Sequence, residues 1–248
     1  MKDYDISTYG DRFADVYDEW YGDGAQPYSS PTTVTINCLV DLANSGAVLE
    51  LGVGTGRIAL GLVGRVAGIH GIDSSPLMLA QLATKPLAEG IHVTVGDMVN
   101  DMPDGPFDLI VVAANTLFNL DSAERQGSAF LAASHRLRSG GRLVVEAFVP
   151  TPRQVGQDEV SVRTLDADTV VLSVSRTNSE SQVSEQQLIE FTSAGIRLRP
   201  TRLRWSTPEE LDVMAIAAGL VIEYRWADWN RTAFLASSAH HVTVWTKR

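Results

Sequence analysis

The chain has 248 residues, 44% of them hydrophobic and 20% charged, enough for one domain with a buried core and room for an insertion. With 30 acidic against 20 basic residues the formal net charge is -10 and no Lys/Arg block occurs, which excludes a nucleic-acid partner, whose phosphates need clustered cations. A lone cysteine, Cys38, cannot form an internal disulfide, no apolar run approaches the ~18 residues of a membrane span, and the start, MKDYDISTYG, lacks the regions of a signal peptide; a cytoplasmic protein away from membranes is expected.

In chain order, Tyr9, Phe13, Tyr17, Trp20 and Tyr21 recur at helical spacing in YGDRFADVYDEWYG, the stripe of a helix packed on the domain. Ser30-Pro31 and Ser75-Pro76 read as helix starts, a small polar cap followed by proline. Strands are predicted at Ala47–Leu51, Ala67–Ile72, Ile91–Val95, Phe107–Ala113 and Gly141–Phe148 with helices between them, the alternation of a parallel sheet covered by helices. From 159 to 204 the period changes to two, in VSVRTL, TVVLSVSR and IRLRPTRLRW, and predicts an antiparallel meander inserted after the fifth strand. Its arginines, Arg163, Arg176, Arg197, Arg199, Arg202 and Arg204, alternate with apolar residues and read as a solvated sheet face. Thr207 and Glu210 form a capping box ahead of a helix over Glu209–Ala218. Strands at Leu220–Trp226 and His241–Lys247 complete the chain.

The stretch AVLELGVGTGRIAL carries the chemistry. A strand, a glycine-rich turn and a helix set backbone N–H groups and a positive helix end against a ligand, and glycines let that ligand approach the main chain. A dinucleotide fingerprint would need a third glycine where Arg57 stands, and no Gly-Lys-Ser/Thr of a P-loop follows.

What is present, Glu50-x-Gly52-x-Gly54-x-Gly56, resembles motif I of the class I S-adenosylmethionine-dependent methyltransferases. The resemblance continues through IHGIDSS, VTVGDMVN, FDLIVVAANTLFNL and LRSGGRLVVEAF, over residues 39–148. It implies an α/β fold, a seven-stranded mostly parallel Rossmann-like sheet with the antiparallel meander over the active site. It also implies S-adenosylmethionine as cofactor and S-adenosylhomocysteine as product. The family's roles fall on Glu50, Gly52, Gly54 and Gly56 for the amino-acid end, Asp73 with Ser74 for the ribose, and Asp97 with Met98 and Val99 for the adenine. Met78 and Asn115 are further cofactor candidates. Ala14, Tyr17, Asp18 and Tyr21 fit the A-x-x-Y-D-x-x-Y lid of small-molecule methyltransferases, with Tyr17 and Tyr21 on the cofactor side. Four segments follow: a helical lid over 1–30, a cofactor-binding core over 31–158, a substrate-covering insertion over 159–206 and completion of the core sheet over 207–248.

Ligands of open α/β sheets bind outside the carboxyl ends of the strands, which maps the acceptor to Thr116 and Phe118, Phe148, and Trp226 and Trp229. The catalytic candidates are Glu146, inside an apolar run, and His240 and His241 at the start of the last strand. No HxH or HxxxD pattern points to a metal. AANTLFN lacks the Asn/Asp-Pro-Pro-aromatic motif of base-flipping enzymes, and no two-glutamate hairpin of protein-arginine enzymes follows. The remaining resemblance is to the small-molecule branch holding sugar N,N-dimethyltransferases and peptide N-terminal methyltransferases of antibiotic biosynthesis. Methyl transfer to an amine of a small metabolite or short peptide is the expectation, with the meander also forming a homodimer contact; O- or C-methylation of a natural product, or cofactor binding without turnover, stay open.

Overall fold

The computed structural model describes residues 1–22, 30–150 and 158–248. The cofactor-type core is a sheet of seven strands: β1 (Ala47–Leu51), β2 (Gly68–Asp73), β3 (Ile91–Val95), β4 (Phe107–Val112), β5 (Leu137–Phe148), β10 (Leu220–Trp226) and β11 (His240–Lys247). They lie in the order β10-β11-β5-β4-β1-β2-β3, with β1 parallel to β2 and β4, and β11 antiparallel to both neighbours. The chain order therefore reverses between β1 and β4, and their carboxyl ends open the crevice that such sheets use for ligands.

Alternation along the buried strands decides which layer each side chain joins. Val48, Leu109, Val111, Val144, Val242 and Val244 face α3 (Thr32–Ala43) and α4 (Ala59–Leu62). Leu49, Ile110, Val112, Leu143, Val145 and Trp245 face α6 (Ala123–Arg136) and α7 (Pro208–Ala217). Helix α5 (Pro76–Ala83) is capped by Ser75, whose Oγ accepts from the Met78 amide at 3.1 Å, and α7 has its capping box between Thr207 and Glu210. Ser30 does not cap α3. The helix starts after Pro31, and the buried Ser30 hydroxyl has no partner among the described residues. Nor does a helix bridge every pair of strands. Between β3 and β4 the run 96–106 is turn and coil, too short and too rich in Pro and Gly (Pro103, Gly105, Pro106) to wind a helix.

The meander is a second sheet, β6 (Asp158–Leu165), β7 (Thr169–Asn178), β8 (Val183–Thr192) and β9 (Gly195–Arg204), all antiparallel. The amino-terminal aromatic stripe is two short helices, α1 (Thr8–Phe13) and α2 (Tyr17–Tyr21), broken at 14–16. Phe13 fills a third core with Met78 of α5 and with Val171 and Leu188 of the second sheet, so the amino-terminal segment lies between the meander and the strand tips.

That placement corrects the solvated reading of one arginine. Arg199 is buried, with Asp15 Oδ1 at 2.6 Å, Glu190 Oε2 at 2.8 Å, the Arg12 carbonyl accepting from it, and the Trp20 ring 5.2 Å from its guanidinium. Asp15 sits in the break between α1 and α2, where Arg197 pairs with it as well, at 2.6 Å. Removing one member of such a buried group strands the others without counter-charge. Arg199→Leu is therefore expected to cost about 3 kcal/mol in a urea melt and to speed proteolysis within residues 1–22, whereas Arg176→Leu, at a fully exposed pair with Asp158, leaves both measurements unchanged.

Candidate active site

The loop after β1 is fixed by β2. The amides of Gly52 and Val53 donate to the Ile72 carbonyl at 2.8 and 3.1 Å, and the Gly54 amide donates to Asp73 Oδ2 at 2.8 Å. All three glycines have left-handed backbones, yet their surroundings differ. A Cβ on Gly52 would stand 2.3 Å from Thr116 Cγ2, and one on Gly56 would stand 2.3 Å from Leu82 Cδ1. A Cβ on Gly54 would meet nothing nearer than 4.0 Å. Gly54 thus leaves its space to a ligand. Gly56 packs against Leu82 of α5 and is absent from the lining of the cleft and of the narrower pocket described below.

Asp73 Oδ1 accepts from the Ser75 amide at 2.9 Å. Burial raises the Asp73 pKa above the ordinary carboxylate value, and the amides of Ser75 and Gly54 oppose that rise. The amino-terminal segment closes over this point through three side-chain bonds: Ser74 Oγ donates to the Ile6 carbonyl (2.6 Å), Ser75 Oγ to Asp11 (2.6 Å) and Thr55 Oγ1 to Asp18 (2.6 Å). Lys85 pairs with Asp18 at 2.6 Å and donates to the Thr55 carbonyl. The resulting cleft is lined by Tyr4, Tyr9 and Tyr17 above, and by Gly54, Asp73, Met78 and Met98 below. Tyr21 turns away. Its hydroxyl accepts from Arg163 of β6 at 3.2 Å, with that guanidinium 5.0 Å from its ring.

A narrower pocket continues from the cleft past Gly52 and Gly54 to Glu50, Arg57 and Ala114. Glu50 is wholly buried, its carboxyl is pushed up to about 8 by burial, and Arg57 and the Ala59 amide pull the other way. Its Oε2 has no hydrogen-bond partner among the described residues. An uncompensated buried carboxyl oxygen asks for a cationic or N–H donor from a ligand.

On the acceptor side the expected residues disperse. Asn115 Oδ1 accepts from the Phe148 amide at 2.7 Å, and Glu146 Oε2 from the Ala114 amide at 2.9 Å. Both residues tie the turn after β4 to β5. Thr116 lines the cofactor cleft. Phe118 is fully buried, edge-on to Phe148 at 5.1 Å. Phe148 with Trp205 floors a separate cavity of about 340 Å³ under the second sheet. Trp229 is buried and Trp226 packs beside it on the α3 face of the sheet, and neither lines these cavities. The same holds for half-buried His240. His241 points into the opposite layer, Nδ1 2.8 Å from Thr243 Oγ1, its pKa lowered to about 3 by burial with Arg225 and His240 adding to the effect. A neutral imidazole of that basicity takes no proton near neutrality. Among the described residues no group of His, Cys, Asp and Glu could hold a metal.

Strand order, glycine turn and acidic strand tips define a nucleoside-binding transferase, and comparison with known proteins agrees. Residues 48–141 match the family model described as a methyltransferase domain. The CcbJ methyltransferase from Streptomyces caelestis is 36% identical, covering 98% of this chain and 99% of that one, with a TM-score of 0.90. The cypemycin N-terminal methyltransferase from a Streptomyces species is 27% identical over 180 residues, 71% of this chain and 72% of that protein. The sugar N-methyltransferase KedS8 from a Streptoalloteichus species, 21% identical with a TM-score of 0.71 over 100% of this chain and 99% of that one, shares the fold. The chain belongs to the S-adenosylmethionine-dependent methyltransferases, in the natural-product branch, and S-adenosylmethionine is its cofactor.

The residues fit that group: Glu50 Oε2 awaits a donor such as its ammonium, Gly54 leaves the approach open, and Asp73 stands ready for ribose hydroxyls. Tyr4, Ile6, Asn119 and Leu120 line the cleft as well, and sequence reasoning missed them. Tyr4 falls outside the aromatic spacing, and the other three become neighbours only through tertiary closure.

Asp73→Ala is expected to weaken S-adenosylhomocysteine binding roughly 100-fold, the value of two charge-assisted hydrogen bonds, and Gly54→Val to abolish it, both read by titration calorimetry. Glu50 adds a pH dependence. Its folded pKa, about 8, lies above the ordinary glutamate value of 4.5, so the native state holds the proton that the unfolded chain releases. That contribution is fully present below 4.5 and is lost as pH rises through about 8. An ammonium beside Glu50 favours the ionised form, so binding should release a proton between these values, counted by calorimetry in buffers of different ionisation enthalpy. Glu50→Gln should remove the release.

Proposed function

We propose that this methyltransferase acts on nitrogen, transferring methyl to an amine of a small metabolite or short peptide in natural-product biosynthesis, in the cytoplasm. The carrying observation is the lining of the cleft, where Tyr4, Tyr9 and Tyr17 lie with carboxyl groups and no described histidine. A neutral amine attacking a sulfonium methyl becomes an ammonium, so positive charge persists through the reaction. Aromatic faces stabilise such a charge by up to about 2 kcal/mol when water is excluded. The cypemycin N-terminal methyltransferase and the sugar N-methyltransferase KedS8 bear names for the same chemistry, which supports the reading.

The bound cofactor supplies an electrophilic methyl on its sulfonium. What the chain contributes is alignment and dryness. The bonds from Ser74, Ser75 and Thr55 hold the lid down, Gly54 and Asp73 set the nucleoside, and the tyrosine faces bound the path of the incoming nitrogen. The acceptor's body is assigned to the cavity under the second sheet, where Ser175, Thr177 and Gln186 offer hydrogen bonds, Glu159 brings negative charge, and Phe148 and Trp205 form the floor. Charge of this sign suits a cationic or hydroxylated acceptor, and the net charge of -10 disfavours a polyphosphate.

Incubation with S-adenosylmethionine and a panel of amines, phenols and short peptides tests this by mass spectrometry. Amine products heavier by one CH2 per methyl are expected, and methylation confined to phenols would overturn the reading. With an accepted amine, kcat/KM should rise with pH until the amine's own pKa. Tyr17→Leu should lower kcat by about 30-fold, and His241→Asn should leave the shape of the pH profile unchanged.

A further inference from the structure

The two short helices over the cleft are held differently. Helix α1 places the fully buried Phe13 in the third core, and Ser74 and Ser75 bond to Ile6 and Asp11 beside and within it. Arg199 fixes the far end through the Arg12 carbonyl and Asp15. Helix α2, which carries Tyr17 into the cleft, has no buried residue. The rings of its Trp20 and Tyr21 rest 6.3 and 6.2 Å from Phe13, and the exposed Arg163 lies 4.9 Å over Trp20.

A closed ring of polar contacts ties α2 to the core. Asp18, the neighbour of Tyr17, accepts at Oδ1 from Thr55 Oγ1 at 2.6 Å and pairs through Oδ2 with Lys85 Nζ at 2.6 Å, while Lys85 donates to the Thr55 carbonyl at 2.8 Å. Thr55 is buried between Gly54 and Gly56 and lines the pocket beside Glu50. Asp18 and Lys85 line neither that pocket nor the cleft. An isolated surface pair adds little, but one locked to a buried third member acts as a network. With side chains 24% and 51% exposed, the pair stays within reach of salt.

We propose that Lys85 is a positioning residue that latches α2 over the bound cofactor, and that its pair with Asp18 sets how fast the cofactor leaves. Residues 14–16, where the two helices part, are the hinge. When the pair opens, α2 swings away with Tyr17 while the Phe13 core keeps α1 in place. Such an opening is local, so it changes ligand exchange without changing the stability of the whole fold.

Surface plasmon resonance with S-adenosylhomocysteine over the immobilised full chain reads the dissociation rate and needs no acceptor. Lys85→Met should raise that rate about fivefold with the urea midpoint unchanged, and Lys85→Arg should stay near the wild type. Wild-type release should quicken between about 0.01 and about 1 M salt, as the screening length falls from about 30 to about 3 Å, and Lys85→Met should lose that dependence. Asp18→Asn, which keeps an oxygen for Thr55, should match Lys85→Met, and the double variant should release no faster than either. Unchanged release in the single variants overturns the proposal. So do effects that multiply in the double variant, a salt dependence that survives in Lys85→Met, or a urea midpoint that falls along with the faster release. If Lys85→Met does not fold, Asp18→Asn and the wild-type salt series decide the matter.

Discussion

The bond on which the site depends joins two strand tips. Gly54 at the turn after β1 gives its amide to the carboxylate of Asp73 at the end of β2, and this one contact sets the loop's curvature and the direction of the acid together. The left-handed backbone at Gly54 turns the amide toward Asp73 while a missing Cβ leaves the cleft open. Burial works against the charge on Asp73 and prevails, while the amides of Ser75, Gly54 and Ser74 oppose part of that cost. The carboxylate is held rigid before any ligand arrives, which is how a binding site avoids an ordering penalty later.

Around this junction the chain builds its roof from distant parts. The amino-terminal segment is fastened to the tips of β1 and β2 by hydroxyl groups, and from above by the second sheet, whose Arg199 reaches Asp15 in the break between the two short helices. The meander therefore acts on the cofactor cleft indirectly, by holding the lid, while its inner face with Phe148 and Trp205 encloses the cavity assigned to the acceptor. The amino-terminal segment is thus anchored both by polar bonds and by a shared apolar core around Phe13.

Polar groups inside the fold divide by what they hold. Glu146 and Asn115 spend their side chains on main-chain amides and shape the turn after β4. His241 and Thr243 bond to each other, and Arg225 donates to both Thr243 and Asp212, in the layer covered by α7. Glu50 Oε2, beside the pocket that adjoins the cleft, has no partner among the described residues, and the same is true of Ser30 Oγ and His241 Nε2 away from it.

The sequence by itself determined the sheet, the glycine turn, the acids at the strand tips and the meander, because each is written in local periodicity and in residue types that only a few backbone conformations accept. The ranges of β1, β3 and β10 read from the sequence are those of the structure. Tertiary structure alone decided which side chains share a face of the site. Strand alternation turned His241 inward, α5 claimed Gly56 and β5 Phe118, Asp15 at the break in the aromatic stripe took up Arg197 and Arg199, and Arg125 took up Asp97. Spacing along a chain specifies its periodicity, but the competition among distant partners for one buried carboxylate or one open wall is settled only when the layers meet.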